Sequence, residues 1–149
     1  MIRHIEKKDV SGVIKLMKEF YSSPAVLHSV NEKNFSKTVD EALNASPYVK
    51  ILVYEKDGII AGYCQLSLSY SNEAGGLNVF IEEIMIDSAY RSQGMGTEML
   101  QYIFDLYKDA RRFRLEVTKE NTGAYTLYKK QGFKTLDYTQ MIIDKEEQE

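Results

Sequence analysis

A glycine pair set between a strand and a helix constrains this chain more than any other feature. The apolar run from Ile84 to Ile86 is followed by a polar turn, and then Gly94 and Gly96 open an amphipathic segment. Glycine lets the backbone turn sharply and approach a ligand closely. The first N–H groups of a helix lack partners within it and, with the helix dipole, favour an anion. With Arg91 as a charged donor, this turn predicts a cradle for a pyrophosphate.

Two familiar glycine loops do not match this turn. A dinucleotide-binding fingerprint requires a third glycine, where this chain has Met99. A nucleotide P-loop ends in Gly-Lys-Ser/Thr, whereas Gly96 is followed by Thr97 and Glu98. An ordinary tight turn remains as the alternative to a phosphate cradle.

A second motif supports the phosphate cradle. Residues 91–96 read Arg-Ser-Gln-Gly-Met-Gly, and residues 121–133 begin with Asn121, carry Ala124 and a Leu-Tyr pair, and end in Gly-Phe. In this order and at this separation, the two motifs resemble those of the GCN5-related N-acetyltransferase (GNAT) superfamily, whose phosphate loop follows the fourth strand. The resemblance in specific motifs covers residues 79–133, and the order of elements matches across nearly the whole chain.

Apolar periodicity and turn residues predict the elements. Asp9 is a candidate N-cap for the first helix, and a second helix holds Phe35 to Leu43. Strands at 48–55 and 59–69 form a hairpin through Lys56-Asp57-Gly58. A polar loop spans Ser69 to Asn78. The remaining elements are predicted as a first strand at 2–6, a strand at 79–87, a helix after the glycine turn, a strand at 113–118, a helix at 121–131, a final strand at 133–143 and a charged, frayed tail at 144–149.

The predicted order, β-α-α-β-β-β-α-β-α-β, is a mixed α/β (α+β) plan. The resemblance implies the GNAT-like acyl-CoA N-acyltransferase fold, a central mixed sheet flanked by about four helices. In that fold the fourth and fifth strands separate, and the acyl-CoA arm lies between them. At 149 residues, we expect a single acetyltransferase domain spanning 1–149.

Composition excludes several classes of protein. A single cysteine, Cys64, excludes an internal disulfide, and with His4 and His28 it gives no metal-ligand spacing, so no metal is expected. The net charge of −3, without a basic stripe, argues against nucleic acid. No stretch is apolar enough to span a membrane, and the first residues lack the apolar core of a signal peptide. We therefore expect a cytoplasmic protein.

Two adjacent carboxylates, Glu82 and Glu83, are candidates for binding and activating an amine. An alkyl amine has a pKa near 10.4, so only about one in a thousand is neutral at pH 7, and a carboxylate can remove the proton directly or through water. Neighbouring strand residues point to opposite faces, so at most one is expected to face the cleft. The resemblance assigns this role to Glu82, and Glu83 would add to the field around a cationic acceptor. A solvated carboxylate is the alternative for Glu82.

Tyr128 is the candidate general acid. A phenol with a pKa near 10 suits protonation of a thiolate whose pKa is about 8.5. Tyr125, one helical turn earlier, is the competitor, and either could be a core residue. The match of Leu127-Tyr128 to the family pair favours Tyr128.

The resemblance implies acetyl-CoA as co-substrate. Backbone groups of the strand would contact the pantetheine and thioester, the glycine turn would hold the pyrophosphate, and Asn121 would bond to the pantetheine amides. An N-cap is the alternative role for Asn121. The implied acetyl-CoA residues are Ile84, Met85, Ile86, Arg91, Ser92, Gln93, Gly94, Met95, Gly96, Thr97, Asn121 and Ala124.

The sequence therefore predicts an acetyl-CoA-dependent N-acetyltransferase that acts on a primary amine of a small molecule by direct attack in a ternary complex. Tyr21, His28, Glu82 and Glu83 are the candidate acceptor-binding residues, with the loop from Ser69 to Asn78 beside them. A protein or peptide N-acetyltransferase and a non-catalytic CoA-binding module are the alternatives. Acetyl is the acyl group by family default. Many relatives are dimers, so a homodimer is open, although no residue specifies an interface.

Overall fold

The computed structural model describes residues 1–145, which form a five-stranded mixed sheet with helices on both faces. The strands lie in the order β1-β2-β3-β4-β5, antiparallel except for the parallel pair of β4 and β5. This confirms the predicted mixed α/β fold. The elements are β1 (Ile2–His4), α1 (Val10–Tyr21), α2 (Lys33–Leu43), β2 (Lys50–Lys56), β3 (Ile59–Ser71), β4 (Gly76–Ile86), α3 (Met95–Leu106), β5 (Arg112–Leu115) and α4 (Thr122–Lys130).

Each face of the sheet packs against its own pair of helices, and we call them the α1/α2 face and the α3/α4 face. Strand residues alternate between the faces, so Tyr63 of β3 lies in the first core and Cys64 in the second. The first core contains Val13, Leu16, Met17, Phe20, Phe35, Val39, Ile51, Val53, Tyr63 and Met85. The second contains Leu52, Cys64, Leu66, Val79, Ile81, Met99, Leu100, Ile103 and Tyr128.

Asp9 precedes α1 as predicted, but its side chain does not cap that helix. The carboxylate accepts hydrogen bonds from the backbone N–H of Glu6 at 2.8 Å and from two Arg3 nitrogens at 2.7 and 3.1 Å. Arg3 also donates to Glu55 of β2 at 2.8 Å. Burial alone would raise the pKa of Asp9, yet these hydrogen bonds outweigh it and the pKa lies below its usual value. Asp9 therefore joins the start of α1 to β1 and β2.

The two hairpins differ in how well the sequence predicted them. The β2–β3 turn is confirmed, with Asp57 and Gly58 at φ of 53° and 77°. The predicted loop from Ser69 to Asn78 is wrong, because β3 and β4 continue pairing through Ser69 with Asn78 as far as Ser71 with Gly76. Gly75, at φ of 83°, closes the short turn by donating its N–H to the carbonyl of Ser71.

The predicted final strand at 133–143 is wrong. The described residues after Gly132 form neither helix nor strand. Leu136 and Tyr138 alternate as strand residues do, but Met141 to Ile143 are three consecutive apolar residues that cannot share one sheet face. Their side chains are 76–95% exposed. Of the predicted charged tail at 144–149, residues 146–149 lie outside the described residues.

Candidate active site

Strands β4 and β5 pair over four residues and then part. The parallel register runs from Asn78 with Arg112 to Ile81 with Leu115, where β5 ends. β4 continues to Ile86. Within residues 1–145, no strand pairs with the β5 side of this last stretch, so its backbone polar groups on that side can bind a ligand. The predicted backbone contacts at Ile84, Met85 and Ile86 all fall here.

A β-bulge at Glu82 changes which residues β4 presents. Gln65 pairs with Glu83 and the next residue, Leu66, pairs with Ile81, so Glu82 is left without a partner position. Before the bulge, Ile81 packs in the α3/α4 core, whereas Met85 after it packs in the α1/α2 core. The extra residue therefore shifts the alternation by one position.

The bulge places both carboxylates on the α1/α2 face. Ser67 and Tyr63 lie on this face of β3, four residues apart, and they donate hydrogen bonds of 2.7 Å to Glu82 and Glu83 respectively. The expectation that the two acids point to opposite faces is therefore wrong. A regular strand would separate them, and the inserted residue does not.

Glu83 is the buried member of the pair, with 8% of its surface exposed. Its two carboxylate oxygens accept hydrogen bonds from Tyr21 at 2.5 Å and Tyr63 at 2.7 Å. Burial raises the pKa of Glu83, the two phenols oppose that rise, and the charge of Glu82 adds to it. Burial and the neighbouring carboxylate also raise the pKa of both tyrosines. We call Tyr21, Tyr63 and Glu83 the phenol–carboxylate cluster.

Glu82 is exposed beside this cluster. Its hydrogen bond from Ser67 orients one carboxylate oxygen and leaves the group open to a ligand or to water. The two acids thus have different environments, since one is accessible and the other is enclosed by donors.

The connection between α1 and α2 approaches the chain that follows β5. The hydroxyl of Thr118 donates a 2.5 Å hydrogen bond to the carbonyl of Pro24, and we call this contact the Thr118–Pro24 clasp. Tyr21 precedes this connection and reaches Glu83. His28 is exposed, and among the described residues its side chain makes no hydrogen bond, so the structure does not bring it to the two acids.

The glycine turn has the conformation that a helix N-terminus needs to face a ligand. Ser92 and Gly94 have φ of 62° and 80°, and Gly94 immediately precedes the first residue of α3. Ser92, Gln93 and Gly94 are exposed, whereas the side chain of Met95 is buried. Only the backbone of Met95 is therefore available to an anion.

Gly96 lacks a side chain for a different reason. A Cβ at this position would lie 3.1 Å from Cδ2 of Leu127, so the absence of one lets α3 pack closely on α4. The sequence suggested that Gly96 lets a ligand approach closely. The structure adds a second reason for glycine at this position, which is the close packing of two helices. Thr97 follows in the first turn of α3 and is half-buried.

Two cations lie around the glycine turn. Arg91 folds back over the end of β4, where its Nε donates to the carbonyl of Ile86 at 3.2 Å. Lys56, at the end of β2, donates to the Gln93 side chain at 3.1 Å and lies 5.8 Å from the ring centroid of Tyr90. Sequence reasoning missed Lys56, because only the strand pairing brings it next to a turn 37 residues away.

The two candidate tyrosines both lie on α4 and differ in burial. Tyr128 is 8% exposed and lines an open groove of about 1080 Å³ between β5, α4 and the chain after Gly132. Burial, with a smaller effect of Cys64, raises its pKa to about 12. Tyr125 is 46% exposed, with Lys129 over its ring. Burial thus distinguishes Tyr128, whose hydroxyl makes no hydrogen bond to any residue in 1–145.

The start of α4 is capped. The side-chain oxygen of Asn121 accepts a 3.4 Å hydrogen bond from the N–H of Ala124, and Gly132 follows the helix at φ of 99°. The predicted helix bounds and the N-cap role of Asn121 are confirmed. The long capping bond leaves the Asn121 amide able to contact a further group.

Residues 1–145 contain neither a cluster of metal-ligating side chains nor a membrane-spanning helix. No three His, Cys, Asp or Glu side chains lie together as a set of metal ligands. None of the described helices is both long and apolar enough to cross a membrane.

Comparison with known proteins gives the family. A family model described as the acetyltransferase (GNAT) family matches residues 13–133. A putative [ribosomal protein bS18]-alanine N-acetyltransferase of Bacillus subtilis is 32% identical over 133 residues, covering 88% of this chain and 78% of that protein. The thialysine N-epsilon-acetyltransferase of Mus musculus is 29% identical over 150 residues, covering 91% and 84%. The chain belongs to the GNAT family and is an N-acetyltransferase.

Solved structures show the same fold. A possible acetyltransferase from Clostridium difficile 630 superposes with a TM-score of 0.80 at 20% identity, covering 99% of this chain and 98% of that one. The aminoglycoside N-acetyltransferase AAC(6')-Iy, solved in complex with CoA, superposes with a TM-score of 0.78 at 18% identity, covering 97% and 93%. The arrangement of strands and helices described above is therefore that of the family.

Proposed function

We propose that this protein transfers the acetyl group of acetyl-CoA to the primary amine of a small molecule by direct attack in a ternary complex. The observation that carries the proposal is the position of Glu82. Its exposed carboxylate projects from the bulge at the point where β4 loses its pairing with β5. An amine held there lies next to backbone groups that can bind a thioester.

The chain carries suitable groups for acetyl-CoA along one path. The first-turn N–H groups of α3, with Arg91 and Lys56 nearby, suit a pyrophosphate. The unpaired edge of β4 from Glu82 to Ile86 can bond to the amides of the pantetheine. Asn121 and Ala124 lie at the start of α4, on the other side of the gap that opens between β4 and β5. Acetyl-CoA supplies an activated thioester carbonyl when bound.

Glu82 acts as the base. It accepts one proton from the acceptor ammonium, directly or through one water, so that the neutral nitrogen can attack the carbonyl carbon. The new C–N bond forms and the C–S bond breaks. The amide nitrogen then loses its second proton, and the thiolate gains one. The sum is one acetamide, one CoA thiol and one proton released to solvent.

Tyr128 protonates the thiolate. Its pKa of about 12 keeps the phenol protonated at working pH, so it can donate a hydrogen bond to the thiolate. Because this pKa lies above the value of about 8.5 for a thiol, the transfer is completed when solvent returns a proton to the phenol. The phenol–carboxylate cluster has a different role, because its carboxylate is enclosed by Tyr21 and Tyr63 and cannot reach an acceptor without displacing one of them. It holds negative charge next to Glu82 and fixes Tyr21 at the acceptor side.

The Thr118–Pro24 clasp supports a small acceptor. This hydrogen bond ties the α1–α2 connection, which follows Tyr21, to the segment after β5. A connection held in this way leaves less room for an extended polypeptide than for a small amine. The Bacillus subtilis relative is named for acetylating a ribosomal protein, so an N-terminal peptide amine is the second candidate.

Calorimetric titration with acetyl-CoA and free CoA tests the cofactor assignment. We expect micromolar binding, weakened several-fold in Lys56→Met and unchanged in Lys37→Met, which removes an exposed lysine of α2. Acetylation of small diamines and of N-terminal peptides, followed by mass spectrometry, then compares the two acceptor classes. A folded protein that binds neither form of CoA would overturn the proposal, and turnover of peptides alone would replace the small acceptor.

A further inference from the structure

The open end of the sheet presents an aromatic ring and two arginines beside Glu82. Phe80 precedes the bulge and Glu82 forms it. Both side chains lie on the α1/α2 face, opposite to Val79 and Ile81. Phe80 pairs in register with Arg114 of β5. The guanidinium carbon of Arg114 lies 5.8 Å from the Phe80 ring centroid, so Arg114 shares this face.

The two arginines of β5 differ in their partners. Arg112 donates to Glu73 at 2.9 Å, and Glu73 also accepts a 2.8 Å hydrogen bond from Tyr138. Arg114 makes no ion pair and no side-chain hydrogen bond with any residue in 1–145. It is half-buried and lines the groove beside β5. A guanidinium on an aromatic face keeps its N–H edge free for a carboxylate.

The free guanidinium and the candidate base are close along the sheet. Phe80, against which Arg114 lies, precedes Glu82 by two residues on the same strand, a separation of roughly 7 Å. When the amine of a small molecule reaches Glu82, Arg114 is therefore no farther from that amine than the length of an amino acid. A polycation without a carboxylate would meet a like charge there, only partly offset by Glu73, whose pKa Arg114 helps to lower.

We propose that Arg114 binds the carboxylate of the acceptor and that the acceptor is a diamino acid. The proposal rests on the acetyltransferase function proposed above. It assigns one group of the acceptor to each charge, the side-chain amine to Glu82 and the α-carboxylate to Arg114. Arg114 is thereby a specificity-determining residue that distinguishes a diamino acid from the corresponding diamine.

Matched acceptors test this assignment. L-Lysine and cadaverine, its decarboxylated counterpart, carry the same terminal amine, as do ornithine and putrescine. We expect kcat/KM for each diamino acid to exceed that for its diamine by at least about tenfold, the discrimination typical of one good ion pair. Arg114→Gln should abolish this preference by raising KM for the diamino acids while leaving the KM for acetyl-CoA unchanged. Lys119→Gln, at an exposed cation after β5, is the control and should retain the preference.

The outcomes separate the two proposals. If the protein acetylates diamines and not diamino acids, or if Arg114→Gln lowers kcat/KM equally for both members of each pair, Arg114 does not bind a carboxylate and this inference is wrong. If acetyl-CoA does not bind and no amine is acetylated, the proposed function itself fails. Calorimetry with the N-acetylated products gives a second measurement, in which Arg114→Gln should weaken only the products that carry a carboxylate.

Discussion

The phenol of Tyr21 donates a 2.5 Å hydrogen bond to Oε2 of Glu83, and thereby ties the end of α1 to the middle of β4. Tyr63 occupies the other oxygen. A carboxylate that is 8% exposed is thus stabilised by two neutral donors and no cation among residues 1–145. The Glu83 carboxylate depends on both hydrogen bonds, because a buried anion that keeps only one of its two donors is costly.

Tyr21→Phe removes one of these donors, and we expect it to lower the free energy of unfolding by about 2 kcal/mol at neutral pH. The folded-state pKa of Glu83 is already above the ordinary value of 4.5, and losing a donor to the charged form raises it further. The cost therefore applies above that raised pKa and shrinks as pH falls towards 4.5. Urea denaturation at several pH values measures it. Tyr48→Phe, at an exposed tyrosine, should show no pH-dependent difference.

Glu82→Gln should reduce kcat/KM by about 10²- to 10³-fold at neutral pH, because the variant has no carboxylate to take the ammonium proton. As pH approaches the amine pKa near 10.4, more acceptor is already neutral and the deficit should narrow. Steady-state rates from pH 6 to pH 10 give the profile. Glu116→Gln, at an exposed carboxylate after β5, is the control. A deficit of the same size at every pH would assign Glu82 to positioning instead.

Tyr128→Phe should lower kcat at least about tenfold and leave the Kd for CoA unchanged, since the ring and its packing remain and only the proton donor is lost. Single-turnover kinetics and calorimetry measure the two quantities. Tyr125→Phe changes an exposed tyrosine on the same helix and should leave both at the parental values. Equal loss in both variants, or none in Tyr128→Phe, would remove Tyr128 from the mechanism.

Asp9→Asn should lower the free energy of unfolding by about 2 kcal/mol at neutral pH, because Asn cannot accept both Arg3 bonds as an anion. The pKa of Asp9 is lowered in the folded state, so its ionised form stabilises the fold above the ordinary value of 3.8. That stabilisation is lost as pH falls through the lowered pKa, and the difference from the parent should fade there. Thermal unfolding between pH 3 and pH 7 tests this, with Glu41→Gln, at an exposed carboxylate of α2, as control.

Local signals predicted the elements that local forces determine. Apolar spacing predicted α1 to α4, Asp57-Gly58 predicted a tight turn, and Gly94 and Gly96 predicted the glycine turn that opens α3. Each of these depends on a few neighbouring residues, either through helical periodicity or through the freedom of glycine at positive φ.

The candidate site depends on contacts between distant segments, and these were predicted less well. The bulge at Glu82 is a mismatch of register between β3 and β4, and nothing in the sequence of β4 alone specifies it. Lys56 reaches the glycine turn only because β2 ends beside it. The free state of Arg114 likewise depends on Glu73, which lies on another hairpin and pairs with Arg112 instead.

The bulge also decides which of two chemically identical side chains meets solvent. The residue outside the register, Glu82, stays exposed, whereas its neighbour Glu83 is enclosed by Tyr21 and Tyr63. The roles of the two acids are therefore set by their positions in the backbone and not by their residue type. An alignment that matched only residue types in a Glu-Glu pair would not distinguish the accessible acid from the enclosed one.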